Sequence, residues 1–168
     1  IQEGPRVTVK SILLNGNVLT KDYVILREMS LKQGDVFTPE KREDSLSHLQ
    51  KLGIFSRVSI KTLEEGTSIA ERTVVVEVEE SLPGTFEFGI GLANDRDWIY
   101  RGNIGAVYRN IYGTGRMISM RVDPSYSTNP EISYLEHKIT LSYLEPYILR
   151  DRNKGRVNLV RELKYFTT

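Results

Sequence analysis

Few side chains in this chain have the type and spacing for chemistry, and most fail on spacing. The 168 residues include no cysteine, which excludes disulfide and thiol chemistry. The two histidines, His48 and His137, lie in different halves of the chain and read as surface or lumen residues, not as a ligand pair. Glu40 and Glu43 fit the first turn of a helix, where acids favour the dipole, better than an acid/base pair. Asn94-Asp95-Arg96-Asp97 lacks the glycine and the terminal glutamate of a calcium loop, so it reads as a polar hairpin tip. Gly113-Thr114-Gly115 lacks the Gly-Lys-Ser/Thr ending of a phosphate loop and joins two strands. No catalytic residue, no metal site and no cofactor is expected. The chemistry that remains is that of backbone N–H and C=O groups along unpaired strand edges.

Those edges need elements to carry them. The charge is nearly balanced, with 23 basic and 22 acidic side chains, which argues against a dedicated nucleic-acid binder. No run of about 18 apolar residues exists to form a transmembrane helix. Ile1-Gln2-Glu3-Gly4-Pro5 lacks the basic start and apolar stretch of a signal peptide. The average hides an asymmetry. Residues 1–82 hold 11 basic against 13 acidic side chains, and residues 83–168 hold 12 against 9. Eight of the nine tyrosines and the only tryptophan fall in the second part, which predicts two objects joined near Ser81-Leu82-Pro83-Gly84.

The first object reads as strand–helix–helix–strand–strand. Val7 to Leu14 is a strand ended by the turn Asn15-Gly16-Asn17. Thr20 is placed to cap a helix from Lys21 to about Met29. Thr38-Pro39-Glu40 is a second helix start, with a capping hydroxyl, proline at the first position and then an acid. Leu46, Leu49 and Leu52 mark its buried stripe, and Gly53 suits a left-handed cap. Strands are expected over Ile54–Thr62 and Thr73–Glu79, with Phe55 and Val76 in the core. In the second object the period is two. Phe86, Phe88, Ile90 and Leu92 share one face. Trp98, Tyr100, Gly102, Ile104, Ala106 and Tyr108 form another, with aromatics at its ends and small or aliphatic residues between. Ile118, Met120 and Val122 continue the pattern, as do Ile139, Leu141 and Tyr143. A last strand over Arg156–Tyr165 is less regular, because Arg161 falls on the apolar side. Aromatic ends around an aliphatic middle suit a lipid-facing barrel strand, with charges opposite facing water. An ordinary antiparallel sandwich remains the alternative on pattern alone.

Two resemblances bear on that choice. Residues 5–81 resemble a POTRA (polypeptide-transport-associated) domain. The likeness is carried by Ile12-Leu13-Leu14-Asn15-Gly16-Asn17, Ile25-Leu26-Arg27-Glu28, Gly34-Asp35-Val36-Phe37, the run from Leu49 to Val58, and Val76-Glu77-Val78-Glu79-Glu80. Phe86-Glu87-Phe88-Gly89-Ile90-Gly91 resembles the first barrel strand of BamA/TamA-type outer-membrane assembly proteins. Arg109-Asn110-Ile111-Tyr112-Gly113-Thr114-Gly115 is similar to their hairpin after the second strand, and Leu144-Glu145-Pro146-Tyr147 to the end of their fourth. The implied fold class is an α+β POTRA domain, β-α-α-β-β, at residues 1–82. All-β antiparallel strands from the start of a transmembrane β-barrel follow at residues 83–168. The family barrel has about 16 strands and known single-chain bacterial barrels at least about eight, so some five strands make an incomplete one. The expectation is a piece of a longer protein with the barrel-proximal POTRA domain.

The resemblance implies a non-enzymatic role in folding and inserting β-barrel proteins, in the outer membrane of a Gram-negative-type cell with the POTRA domain in the periplasm. Unfolded outer-membrane proteins, outer-membrane lipid and accessory assembly proteins are the implied partners, and nucleic acid is not. A first strand able to part from the last offers a template edge, here Thr85, Phe86, Glu87, Phe88, Gly89, Ile90, Gly91, Leu92 and Ala93, acting through backbone. In POTRA domains the strand after the second helix is an edge, here Arg57, Val58, Ser59, Ile60 and Lys61. It either accepts an extended peptide or is merely protected by Arg57 and Lys61. Within the superfamily, two-partner secretion and a phospholipase-fused relative are alternatives, and a POTRA-based interaction module is another. Loss of all outer-membrane barrels, against loss of one secreted partner, separates the first two.

Overall fold

The computed structural model describes residues 7–64, 66–67, 69–94, 98–128, 133–148 and 153–167. It contains two compact units: residues up to Leu82 with Tyr112–Gly115, and Pro83–Ile111 with the residues from Arg116 onward. The hairpin tip expected at Asp95–Asp97 lies outside the described residues.

The first unit orders its elements as β1 (Thr8–Asn15), α1 (Asp22–Leu26), α2 (Pro39–Lys51), β2 (Phe55–Thr62) and β3 (Glu71–Glu80). The sheet order is β1-β3-β2, with β1 parallel and β2 antiparallel to the central β3. Both helices contribute to one core. Val24, Ile25 and Leu49 from the helices meet Val9, Phe55, Ile60, Val74, Val76 and Val78 from the strands, with Met29, Leu31 and Ile54 from the connections. Leu46 and Leu52 pack on its rim. The second helix starts as its sequence dictates: the Lys41 N–H donates to Thr38 Oγ1, and Pro39 opens the first turn. Gly53, at φ +67°, takes the left-handed position after that helix. Gly16 has a second reason to be glycine, since a Cβ there would run into the Val78 carbonyl oxygen.

The first helix departs from expectation. It spans Asp22–Leu26, is entered through Lys21 and has no side-chain cap. After Leu26 the chain tightens, with Glu28 N–H donating to the Ile25 oxygen and Met29 N–H to the Leu26 oxygen. These i→i+3 bonds end the helix, while Met29 still reaches the core from the turn. Thr20 is no cap. It is buried, and its N–H donates 2.6 Å to Glu80 Oε1.

The second unit is a five-stranded antiparallel sheet in sequence order: β4 (Gly84–Asn94), β5 (Trp98–Ile111), β6 (Arg116–Ser127), β7 (Ser133–Ile148) and β8 (Asn153–Thr167). Its rows repeat the alternation read along each strand. Phe86, Ala106, Met120, Leu141 and Leu159 are in register, as are Phe88, Ile104, Val122, Ile139 and Arg161. The hairpin between β5 and β6 uses positive φ at Asn110, Tyr112, Gly113 and Gly115.

Candidate functional site: two strand edges

β4 ends the five-stranded sheet, so one of its sides has no strand partner among the described residues. A single bond shows which backbone groups that side carries. The Arg109 N–H donates 2.7 Å to the Pro83 oxygen, and the β4–β5 register then runs without a shift from Gly84↔Tyr108 to Asn94↔Trp98. In an antiparallel ladder, hydrogen-bonded pairs alternate with non-bonded ones. Thr85, Glu87, Gly89, Gly91 and Ala93 therefore turn their N–H and C=O toward β5. Phe86, Phe88, Ile90 and Leu92 turn theirs to the free edge.

The side chains of those edge residues form an uncovered apolar face. Phe86, Phe88 and Ile90 are 86%, 89% and 97% exposed. Tyr108, Ile118 and Tyr143 are in register at one end of this face, and Tyr100, Tyr126, Leu135 and Tyr165 at the other. Eight residues along β5 cover about 27 Å at about 3.4 Å each. Tilted by about 40°, they rise about 21 Å, close to the about 25 Å apolar band of a barrel between its aromatic girdles.

The opposite face is polar and cross-linked by charge. Arg121 pairs with Glu87 at 2.7 Å, Lys138 with Glu162 at 3.1 Å, and Arg109 donates to Thr85 Oγ1 at 2.9 Å. Arg101, Glu136, Arg121, Asp123 and Lys138 line one groove there. His137 is on the outer side of the sheet, not the polar one. Its register with Pro124 and Leu163 puts it on the apolar face, edge-on to Tyr165 at 6.4 Å between ring centroids. Arg161 is on the apolar side, as its sequence position predicts.

β2 is the second edge, since it pairs with β3 on one side only. Leu63 N–H donates to the Thr73 oxygen, and the ladder from Arg57 to Thr62 is unbroken. Arg57, Ser59 and Lys61 thus bond to β3, while Val58 and Ile60 offer free backbone. Lys61 lies back on Glu77 at 3.0 Å and Arg57 toward Glu79 at 4.0 Å, both on β3 and away from the open side. Beside the edge, Arg42, Glu43 and Leu46 of α2 and Val58, Ser59 and Ile60 of β2 bound a groove of about 190 Å³. Among the described residues no group of three or more His, Cys, Asp or Glu is placed to hold a metal ion.

Known proteins share both units. Residues 7–81 match the POTRA family model, described as a surface antigen variable number repeat. The outer membrane protein assembly factor BamA of Neorickettsia risticii is 31% identical over 133 residues, 78% of this chain and 17% of that protein. A crystal structure of BamA from Haemophilus ducreyi lacking POTRA domains 1-3 superposes with a TM-score of 0.69 over 95% of this chain and 28% of that one, at 23% identity. The chain is similar to BamA-type assembly factors across both of its units. A putative outer membrane protein assembly factor of Treponema pallidum is 38% identical over 90 residues, 54% of this chain and 11% of its own length. The BamA-type fold also extends to CdiB from Acinetobacter baumannii, with a TM-score of 0.61 at 14% identity over 83% of this chain and 27% of that one. The chain spans under a fifth of the length of the Neorickettsia and Treponema relatives.

Proposed function

We propose that this chain is the barrel-proximal POTRA domain and the first strands of a protein that folds and inserts β-barrel proteins in an outer membrane. The observation that carries this is the edge of β4, where the backbone groups of Phe86, Phe88, Ile90 and Leu92 have no strand partner among the described residues and lie beside an exposed apolar face. In hydrocarbon each such group costs several kcal/mol until it is paired. An incoming strand that pairs there recovers that energy without a nucleotide fuel. The POTRA unit stands on the periplasmic side. Its β2 edge, Arg57–Lys61, and the groove against α2 receive extended segments of unfolded substrate by strand addition. Lipid covers the apolar face, and accessory assembly proteins complete the machine. The name of the matched relatives, outer membrane protein assembly factor, supports the same reading.

Proline substitution in the full-length protein tests the edge. Phe88→Pro or Ile90→Pro removes a donor from the open side and should stop assembly of other barrels while the protein itself still inserts. Glu87→Gln leaves the backbone intact and should assemble them normally. Unchanged assembly by both proline variants would refute templating at β4.

A further inference from the structure

The inward face of β4 is treated unevenly by the strands behind it. Thr85 takes a hydrogen bond from Arg109, Glu87 is paired with Arg121, and the space where Gly89 would carry a side chain is filled by the Asn103 amide. Gly91 is different: nothing lies within 4 Å of where its Cβ would stand. Beside it in register is Arg101, exposed and, among the described residues, without an ion pair or hydrogen bond. Among the described residues, Glu136, in the same row, lies toward Lys164 at 3.9 Å, and Asp123, in the same groove, makes no ion pair.

The molecule already shows what such an arrangement does. Glu87, Gly105 and Arg121 stand in one row on β4, β5 and β6. Because Gly105 has no side chain, the Glu87 carboxylate crosses over it and meets Arg121 Nη2 at 2.7 Å. The crossing spans two strand spacings, about 9.6 Å, which a glutamate and an arginine bridge together. At Gly91 the same row is two-thirds built, with glycine on β4 and arginine on β5. The missing member belongs to whatever strand pairs with the free edge. The Gly91 backbone turns toward β5, so its partner on the open side stands in a non-hydrogen-bonded pair. Side chains come closest in such pairs, with Cα atoms about 4.5 Å apart.

We propose that Gly91 and Arg101 read a carboxylate on the incoming strand: a glutamate opposite Gly91 crosses the glycine and pairs with the Arg101 guanidinium. This rests on the reading of β4 as a template and adds to it a side-chain preference that backbone pairing alone does not have. Aspartate, one methylene shorter, reaches less well, and lysine at that position meets like charge.

The test uses the full-length protein carrying Leu92→Cys and synthetic extended peptides with one cysteine placed to form a disulfide with it. That disulfide sets the register, so the neighbouring peptide residue faces Gly91. The peptides are identical except for glutamate, glutamine or lysine at that residue. Equilibrium disulfide yield should favour glutamate over lysine by about fivefold, the upper range of an exposed ion pair. Arg101→Glu should reverse the order. Arg101→Gln, which keeps size and polarity, should abolish the preference and guards against a variant that fails to fold. Equal yields for all three peptides, with disulfides formed, would overturn this inference and leave the template standing. No disulfide with any peptide would overturn both.

Discussion

Glu80 shows how one carboxylate organises a loop that carries no regular structure. It accepts the Leu19 N–H at 2.9 and 3.1 Å on its two oxygens and the Thr20 N–H at 2.6 Å. Burial works against its charge, but these donors, with the Thr20 hydroxyl, hold its pKa below the ordinary glutamate value of 4.5. A carboxylate with a lowered folded pKa stabilises fully above its unfolded value. That contribution is lost as pH falls below about 4.5 and through the folded value. Glu80→Ala should destabilise the first unit by about 1.5–3 kcal/mol at neutral pH, the range for hydrogen bonds to a charged group. Hydrogen exchange at the Leu19 and Thr20 amides should show the loss, and the difference from the parent should shrink toward pH 3. In the sequence Thr20 invites reading as a cap because its hydroxyl precedes a helical pattern. What wins is a tertiary acceptor some sixty residues away, which local pattern does not reveal.

Elements were legible where one periodicity excluded the other. The stripe of Leu46, Leu49 and Leu52 behind Thr38-Pro39 fits only a helix, and the alternations of Phe86–Leu92 and Trp98–Tyr108 fit only strands. The first helix is shorter than its apolar spacing implies, because Val24, Ile25, Met29 and Leu31 satisfy a helical stripe as well as a short helix plus a packed turn. Leu49 is fully buried, so Leu49→Ala should cost about 2–5 kcal/mol by urea unfolding. Across the sheet, Leu141 shares the apolar face with Met120 and Leu159, while Thr140 shares the polar face with Arg121. Leu141→Arg should destabilise the membrane-inserted protein by about 2–4 kcal/mol, and Thr140→Arg by much less. Equal losses would reverse the assignment of faces.

For the whole molecule, side-chain alternation tells which face of a strand meets lipid but is silent on which backbone groups point to which neighbour. That parity comes from pairing: the Arg109–Pro83 bond and an unshifted register make Phe86, Phe88, Ile90 and Leu92 the open-edge residues. It also separates the two candidate edges, β2 beside a helix groove in the POTRA unit and β4 beside an exposed apolar face. The central claim is that the second of these receives a substrate's strand. The most direct measurement is cysteine crosslinking of the full-length protein, one site at a time over residues 85–93, to the terminal strand of a stalled barrel substrate. The account predicts crosslinks that step along the substrate strand in antiparallel register with β4. Crosslinks confined to the POTRA unit, with none over residues 85–93, would contradict it.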